Sequence, residues 1–142
     1  MVQRLWGGLL LLVLTWTGLM GPALAAEVMS IRDGGLLRVG DSNRSFGIRI
    51  ACIDIPAAQA EDARAYLQQQ LPRRTRVNFR LTGRDGAEGP VVGEIYRLPD
   101  GTDLAAGLLE SGLATIREGE LVGCPSAALY RQAAAQAQGS AR

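Results

Sequence analysis

The chain is 142 residues long, 47% hydrophobic, and carries 15 basic and 14 acidic side chains for a formal net charge of +1. Every basic residue is Arg and there is no His, which excludes Ser-His-Asp and Cys-His catalysis and His-ligated zinc or haem. Two Cys residues are too few for a four-thiolate zinc site or an iron–sulfur cluster. The length indicates one domain.

The first segment has the features of a secretory signal peptide. Arg4 provides a positive charge, and residues 5–20 are apolar and rich in Leu. Ala23-Leu24-Ala25 places small residues at the positions before the cleavage site that signal peptidase recognises. We therefore predict that residues 1–25 are removed and that the protein is exported to a periplasm, a lumen or the extracellular space. The alternative is a retained anchor, but an apolar run of 16 residues is short for a spanning helix, which needs roughly 20.

Residues 26–142 then form the predicted mature domain. Because Arg4 leaves with the signal, 14 Arg balance 14 acidic residues. This balance argues against strong non-specific binding to nucleic acid, which depends on excess positive charge. Export also favours a disulfide between Cys52 and Cys124 over two buried free thiols, and the mature protein is not expected to be an integral membrane protein.

Alternating apolar residues and turn residues predict short strands in the first half of this domain. These strands cover 27–31, 36–39 and 45–53. Arg49 is the one charge in the third strand, both faces of which are otherwise largely apolar. A charge in such a position needs a partner or a task.

The second half adds helices to further strands. Helices are predicted over 57–71, 104–111 and 126–139, and strands over 75–81, 91–96 and 113–117. Thr102 or Asp103 is expected to cap the second helix, and the glycines of residues 82–90 predict a loop. Five of these six strands, without the brief one at 113–117, predict together with about three helices an α+β protein built on a small five-stranded β-barrel.

The order of motifs resembles the staphylococcal nuclease (thermonuclease) family. That family has a D-G-D-T turn, a strand ending R-L-x-x-I-D-x-P-E, a D-x-Y-G-R loop, a helix ending G-L-A, and a last helix rich in Ala and Glu. The corresponding places here are Asp33-Gly34-Gly35-Leu36, 49–57, 86–90, Gly112-Leu113-Ala114 and 130–138. The resemblance implies an OB-fold-type barrel, and similarity to exported members with a second Cys before the last helix supports the Cys52–Cys124 pairing.

The resemblance also implies calcium-dependent hydrolysis of phosphodiester bonds. In the family, two carboxylates hold the metal, a Glu activates or positions water, and two Arg stabilise charge on the phosphate. Of these five positions, the chain keeps one Arg, Arg49, and one metal carboxylate, Asp54. The other three fall on Gly35, Ala57 and Pro90, none of which can replace the lost group.

These losses predict a catalytically inactive domain without a cofactor, acting as a binding or structural module. One missing base lowers a rate by roughly 10²–10⁴ and one missing charge-stabilising donor by roughly 10²–10³. The alternative is a calcium-dependent nuclease with a site rebuilt from neighbouring residues. The candidates are Glu61, Asp62 and Asp33 for the metal and Arg80 and Arg84 for the phosphate. A third possibility is a small-ligand binder that uses the vacant nucleotide cleft.

Two charged features leave alternatives open. Arg49 and Asp54 form either an ion pair at the end of the strand or a residual anion pocket. A basic cluster is either a solvated face or a patch for an acidic protein, an anionic lipid or nucleic acid. Its members are Arg73, Arg74, Arg76, Arg80 and Arg84. Alternation turns Phe79 away from this cluster, against base stacking beside it, and the three Tyr of the mature chain are expected to be packing residues.

Overall fold

The computed structural model describes residues 24–140. The strands are β1 (Leu24–Ile31), β2 (Leu36–Asp41), β3 (Arg44–Ile50), β4 (Ile53–Asp54), β5 (Arg76–Arg84), β6 (Val91–Arg97), β7 (Thr102–Asp103) and β8 (Thr115–Ile116). The helices are α1 (Ala60–Gln70), α2 (Leu104–Glu110), α3 (Glu118–Leu121) and α4 (Ala127–Ser140). Of the predicted signal peptide, residues 1–23 lie outside the described residues, and Leu24 and Ala25 begin β1.

Five of the strands close a barrel. β1 pairs antiparallel with β2 and β5, β2 pairs with β3, and β5 pairs with β6. Parallel pairing of β3 with β6 completes the closure. β7 extends the sheet beside β6, and β4 pairs with β8 in a separate two-stranded sheet. The architecture is of the OB-fold type, which confirms the predicted α+β barrel; three longer helices are joined by α3, of four residues.

The core is built from apolar residues that recur at every second position in the strands and at every third or fourth position in the helices. Alternate strand residues such as Leu37, Ile48 and Ile95 are fully buried inside the barrel. Leu104 and Leu108, one helical turn apart on α2, are buried as well. As predicted, α2 is capped by Asp103, whose side chain accepts a hydrogen bond from the Ala106 N–H at 3.1 Å.

Across the part of the chain that the structure describes, no helix is both long and apolar enough to span a bilayer.

The third predicted strand ends earlier than its alternation suggests. β3 stops at Ile50, and the next two residues form a turn in which Cys52 has φ 67°. This turn redirects the chain, so that Ile53 and Asp54 pair with β8 outside the barrel. Arg49 and Asp54 therefore belong to different sheets.

Candidate functional site

Arg49 lies near the end of β3 with only 11% of its side chain exposed. One edge of its guanidinium binds Asp85: Nε donates to Oδ2 at 2.6 Å and Nη2 to Oδ1 at 2.9 Å. The other edge binds Glu120, with Nη2 donating to Oε1 at 2.6 Å and Nη1 to Oε2 at 3.4 Å. Nη1 also donates to the Ile50 carbonyl oxygen at 3.2 Å. Arg has five N–H donors, so all of them are used inside the protein.

Asp85 reaches Arg49 because the Gly-rich loop after β5 is tightly closed. The Asp85 N–H donates to the Pro90 carbonyl oxygen at 3.0 Å, and Gly86 has φ 69°. A Cβ atom at Gly89 would overlap the Asp85 carbonyl oxygen, so this position accepts only Gly. The loop thus presents a carboxylate to Arg49, whereas the family that the sequence resembles places an Arg at its end, where Pro90 stands.

Glu120 is brought in by α3, a helix that the sequence did not predict. Besides its bonds from Arg49, Glu120 Oε2 accepts from the Cys52 N–H at 3.0 Å, and Oε1 accepts from Arg117 Nη1 at 3.0 Å. The predicted disulfide between Cys52 and Cys124 is present, with a Cα–Cα distance of 6.6 Å. It joins the turn after β3 to the segment after α3 and so holds Glu120 close to Arg49.

Of the two alternatives for Arg49 and Asp54, the ion pair between them is wrong. Asp54 pairs instead with Arg117, whose Nε donates to Asp54 Oδ1 at 2.8 Å and whose Nη2 contacts the same oxygen. The reason is the turn after β3, which places Asp54 opposite Thr115 of β8, two residues before Arg117. Arg49 and Asp54 are nevertheless joined indirectly, because Arg117 also donates to Glu120.

We call this chain of contacts the ion network. Its members, in order of contact, are Asp85, Arg49, Glu120, Arg117 and Asp54. Negative and positive side chains alternate along it, so each cation is flanked by two carboxylates. It contains both surviving positions of the resembled catalytic site and binds each of them to a partner within the chain.

Electrostatics keep the centre of the ion network charged near neutral pH. Hydrogen bonding to Asp85 raises the pKa of Arg49, and the Arg49 guanidinium in turn lowers the pKa of Asp85. Burial by itself would raise the pKa of Glu120, but hydrogen bonds from Arg49 and the Cys52 N–H outweigh it and lower the pKa below its ordinary 4.5. Hydrogen bonding to Asp54 raises the pKa of Arg117.

The residues around Asp54 do not fit a calcium ion. Calcium takes about six to eight oxygen ligands, and Asp54 faces the cationic Arg117 instead. Within residues 24–140, no group of three or more His, Cys, Asp or Glu side chains is placed to hold a metal. Three other carboxylates were predicted as candidate metal ligands. Of these, Asp33 Oδ1 lies 3.6 Å from Arg64 Nη1, and Glu61 and Asp62 are exposed in the first turn of α1.

The three lost positions have different surroundings. Gly35 is buried with φ 75°, and a Cβ atom there would lie 3.3 Å from Ile55 Cδ1. Ala57 is exposed at the start of a 3₁₀ turn. Pro90 packs beside Gly47, where an added Cβ would lie 3.5 Å from the proline ring. Restoring a carboxylate at Gly35 therefore requires an unfavourable backbone conformation as well as space.

A Gly35→Asp variant is expected to lose about 1–3 kcal/mol of unfolding free energy, because a left-handed conformation strains any residue with a Cβ atom. Urea denaturation measures the loss. Gly34→Asp is the matched control: Gly34 has φ 71° but nothing within 4 Å of an added Cβ, so the difference between the variants isolates the crowding against Ile55. A Gly35→Asp variant as stable as the parent, with a midpoint raised by calcium, would contradict this account.

The structure divides the predicted Arg patch. Arg73, Arg74 and Arg76 line a groove of about 680 Å³ together with Arg44, which the sequence did not group with them. Arg80 does not line this groove, and its Nη1 lies 3.8 Å from Glu94 Oε1. Arg84 is also separate, because its Nη1 donates to the Gly89 carbonyl oxygen at 2.9 Å.

The aromatic residues mainly pack. The Phe79 ring meets the Phe46 ring edge to face at a centroid distance of 5.7 Å, and neither ring lines the groove that holds the Arg residues. Tyr130 is fully buried and donates to Asp103 Oδ2 at 2.9 Å. The predicted packing role of Tyr130 is confirmed. The prediction that Phe79 faces away from the whole Arg cluster is wrong for Arg84, because both Phe rings line a second cavity of about 650 Å³ together with Arg84, beyond a register shift in β5 between Leu81 and Gly83.

Besides Asp103, the carboxylate of Glu94 is buried, and it anchors α4. The sequence did not point to this residue. Glu94 of β6 is fully buried and accepts hydrogen bonds from the Tyr96 hydroxyl at 2.6 Å and from the Ser126 N–H at 2.9 Å. Burial and the bond to Glu94 raise the pKa of Tyr96 to about 12. Because each polar atom finds its partner within this cluster, Glu94 fixes the start of α4 on the barrel.

The sequence contains only weak signals for the partners of Arg49. Asp85 opens a loop whose glycines are visible, but nothing in the sequence indicates where the loop folds. Arg117 and Glu120 stand in a short charged run shortly before Cys124, and the disulfide places that run near Arg49. Comparisons with protein-family models and with curated proteins find no match to this chain.

Proposed function

We propose that this chain is an exported domain of the staphylococcal nuclease type that does not catalyse hydrolysis and acts as a binding or structural module. The ion network supports this proposal. A phosphate-binding Arg must offer paired N–H donors to phosphate oxygens, and both edges of Arg49 are already bound to carboxylates. A substrate phosphate would have to displace Asp85 or Glu120 and leave that carboxylate without its partner.

The other surviving position supports the same conclusion. A calcium-binding Asp54 would need further oxygen ligands, and its closest charged neighbour is a cation. The loop that carries a second Arg in the resembled family here carries Asp85, which adds negative charge beside Arg49. Asp54 and the loop therefore both oppose the binding of a metal-bound phosphodiester.

The disulfide is consistent with the export part of the proposal. Disulfides persist in oxidising compartments and are rare in a reducing cytosol. Cys52 and Cys124 are both buried, so the bond between them is shielded from solvent. Cleavage of the signal after Ala25 remains a prediction, which the mass of the mature protein from an exported preparation tests.

A hydrolysis assay tests the absence of catalysis. The purified protein, with millimolar calcium, is expected to cleave single-stranded DNA and RNA no faster than a blank. Arg49→Lys, which keeps the charge but loses bidentate geometry, is the control and is expected to match the parent. Calcium-dependent hydrolysis by the parent that is lost in Arg49→Lys would refute the proposal and favour the nuclease with a rebuilt site.

A further inference from the structure

The groove lined by Arg residues crosses β1 between two other parts of the fold. Arg44 comes from the β2–β3 hairpin on one side. On the other side, Arg73 and Arg74 come from the turn before β5 and Arg76 is the first residue of β5. The floor is formed by residues 25–29 of β1, of which 26–29 remain after the predicted signal cleavage. At roughly 3.3 Å per residue, the remaining floor has room for about four residues of an extended peptide.

These four Arg residues differ from most others in the described chain by lacking an acidic partner. Six described Arg residues have a carboxylate oxygen within 4.0 Å, and none of the four in the groove is among them. The chain has nearly equal numbers of basic and acidic groups. Four Arg residues without a carboxylate partner in one groove therefore make this groove a candidate site for an anionic ligand.

The backbone under this charge is held firmly. Arg74 adopts φ 73°, a left-handed conformation that is unfavourable for a residue with a Cβ atom. Hydrogen bonds to β1 maintain it: the Arg74 N–H donates to the Val28 carbonyl oxygen at 2.8 Å, and the Val28 N–H donates to the Thr75 carbonyl oxygen at 2.9 Å. The guanidiniums therefore project from a fixed turn, which lowers the entropy lost when a ligand binds.

The remaining lining residues discriminate between anionic ligands. Glu27 and Asp41 stand among the Arg residues and would repel a continuous phosphate backbone, whereas separate carboxylates can avoid them. Among residues 24–140, no aromatic ring lines the groove for base stacking, and the chain has a net charge of only +1 to attract nucleic acid. Met29, 43% exposed, offers an apolar contact of the kind that a peptide side chain uses. Residues 1–23 contain no Asp or Glu, so that segment does not supply the missing anions.

We propose that this groove binds an extended acidic segment of a partner protein, with Asp or Glu carboxylates taking paired hydrogen bonds from Arg44, Arg73 and Arg76. This inference rests on the proposed function, since it names the ligand of the binding module. The Arg fork suits a carboxylate better than Lys would, because it donates two parallel hydrogen bonds.

Fluorescence anisotropy tests the proposal with a fluorescein-labelled peptide of alternating Glu and Gly and a matched peptide of Gln and Gly. The Glu peptide is expected to bind and the Gln peptide not to bind. Arg73→Gln/Arg76→Gln is expected to weaken binding by about tenfold, because it removes two exposed ion pairs that each strengthen binding by about threefold. Arg44→Gln, on the opposite wall, is expected to weaken it by about threefold on the same scale.

The charge-matched control is Arg64→Gln/Arg131→Gln, which removes two exposed Arg residues outside the groove and is expected to change affinity by less than about twofold. Equal weakening in both double variants, or no binding of the Glu peptide, would overturn the proposal. So would tighter, groove-dependent binding of oligothymidylate or of phosphatidylglycerol vesicles. Hydrolysis is measured separately, so activity with intact peptide binding would reject only the proposed function.

Discussion

An Asp85→Asn/Glu120→Gln variant is expected to lose about 3 kcal/mol of unfolding free energy, because it removes both counterions of the buried Arg49. Removing a partner from a buried ion pair typically costs about 3–5 kcal/mol, and the lower end applies because both carboxylates are partly exposed. Urea denaturation measures the change. Glu88→Gln/Glu118→Gln, which neutralises two exposed acids, is the control and is expected to stay within about 0.5 kcal/mol of the parent. A loss no larger than that control would show that the ion network is not structural.

The pH dependence of stability gives the same variant a second readout. The pKa values of Asp85 and Glu120 are lower in the folded protein than their ordinary 3.8 and 4.5. Their contribution to stability is therefore complete above about pH 5 and disappears as the pH falls through the lowered values. The difference in unfolding free energy between parent and double variant is expected to shrink on acidification, and a constant difference would contradict the assignment.

A Cys52→Ser/Cys124→Ser variant is expected to lose about 4 kcal/mol of unfolding free energy. The disulfide closes a loop across a sequence separation of 72 residues, and losing it restores that conformational freedom to the unfolded chain. Denaturation of the parent with and without reductant, beside the Ser variant, measures the effect. Reductant is expected to leave the Ser variant unchanged. If the untreated parent labels two thiols under denaturing conditions, the pairing is refuted.

The barrel was predictable because its determinants are local. The alternation around Arg49, the helical spacing in α1 and the Asp103 cap each depend on residues close in the chain. The predicted end of the third strand was wrong because it depends on backbone conformation, which the alternation does not reveal. The alternation continues to Ile53, but the left-handed Cys52 ends β3 at Ile50.

The ion network was not predictable because its contacts are remote in sequence. Asp85 and Glu120 lie 36 and 71 positions from Arg49, and α3 is too short for helical periodicity to reveal it. Asp54, five residues from Arg49, was the nearest candidate partner in the sequence. The turn after β3 directs the chain so that Asp54 pairs with Arg117 instead. Charge requirements predicted that Arg49 needs partners, but only the folded topology determines which.

NMR observation of the Arg49 Nε–Hε group shows whether the Arg49 guanidinium is bound within the protein, as its contacts with Asp85 and Glu120 indicate. The Arg49→Lys variant assigns the signal, and exposed Arg38 is the reference for rapid exchange. We expect the Arg49 Hε signal to exchange slowly with water and not to shift when millimolar calcium and oligothymidylate are added. Rapid exchange, or a saturable shift on adding the oligonucleotide, would show that Arg49 is open to phosphate and would contradict the account.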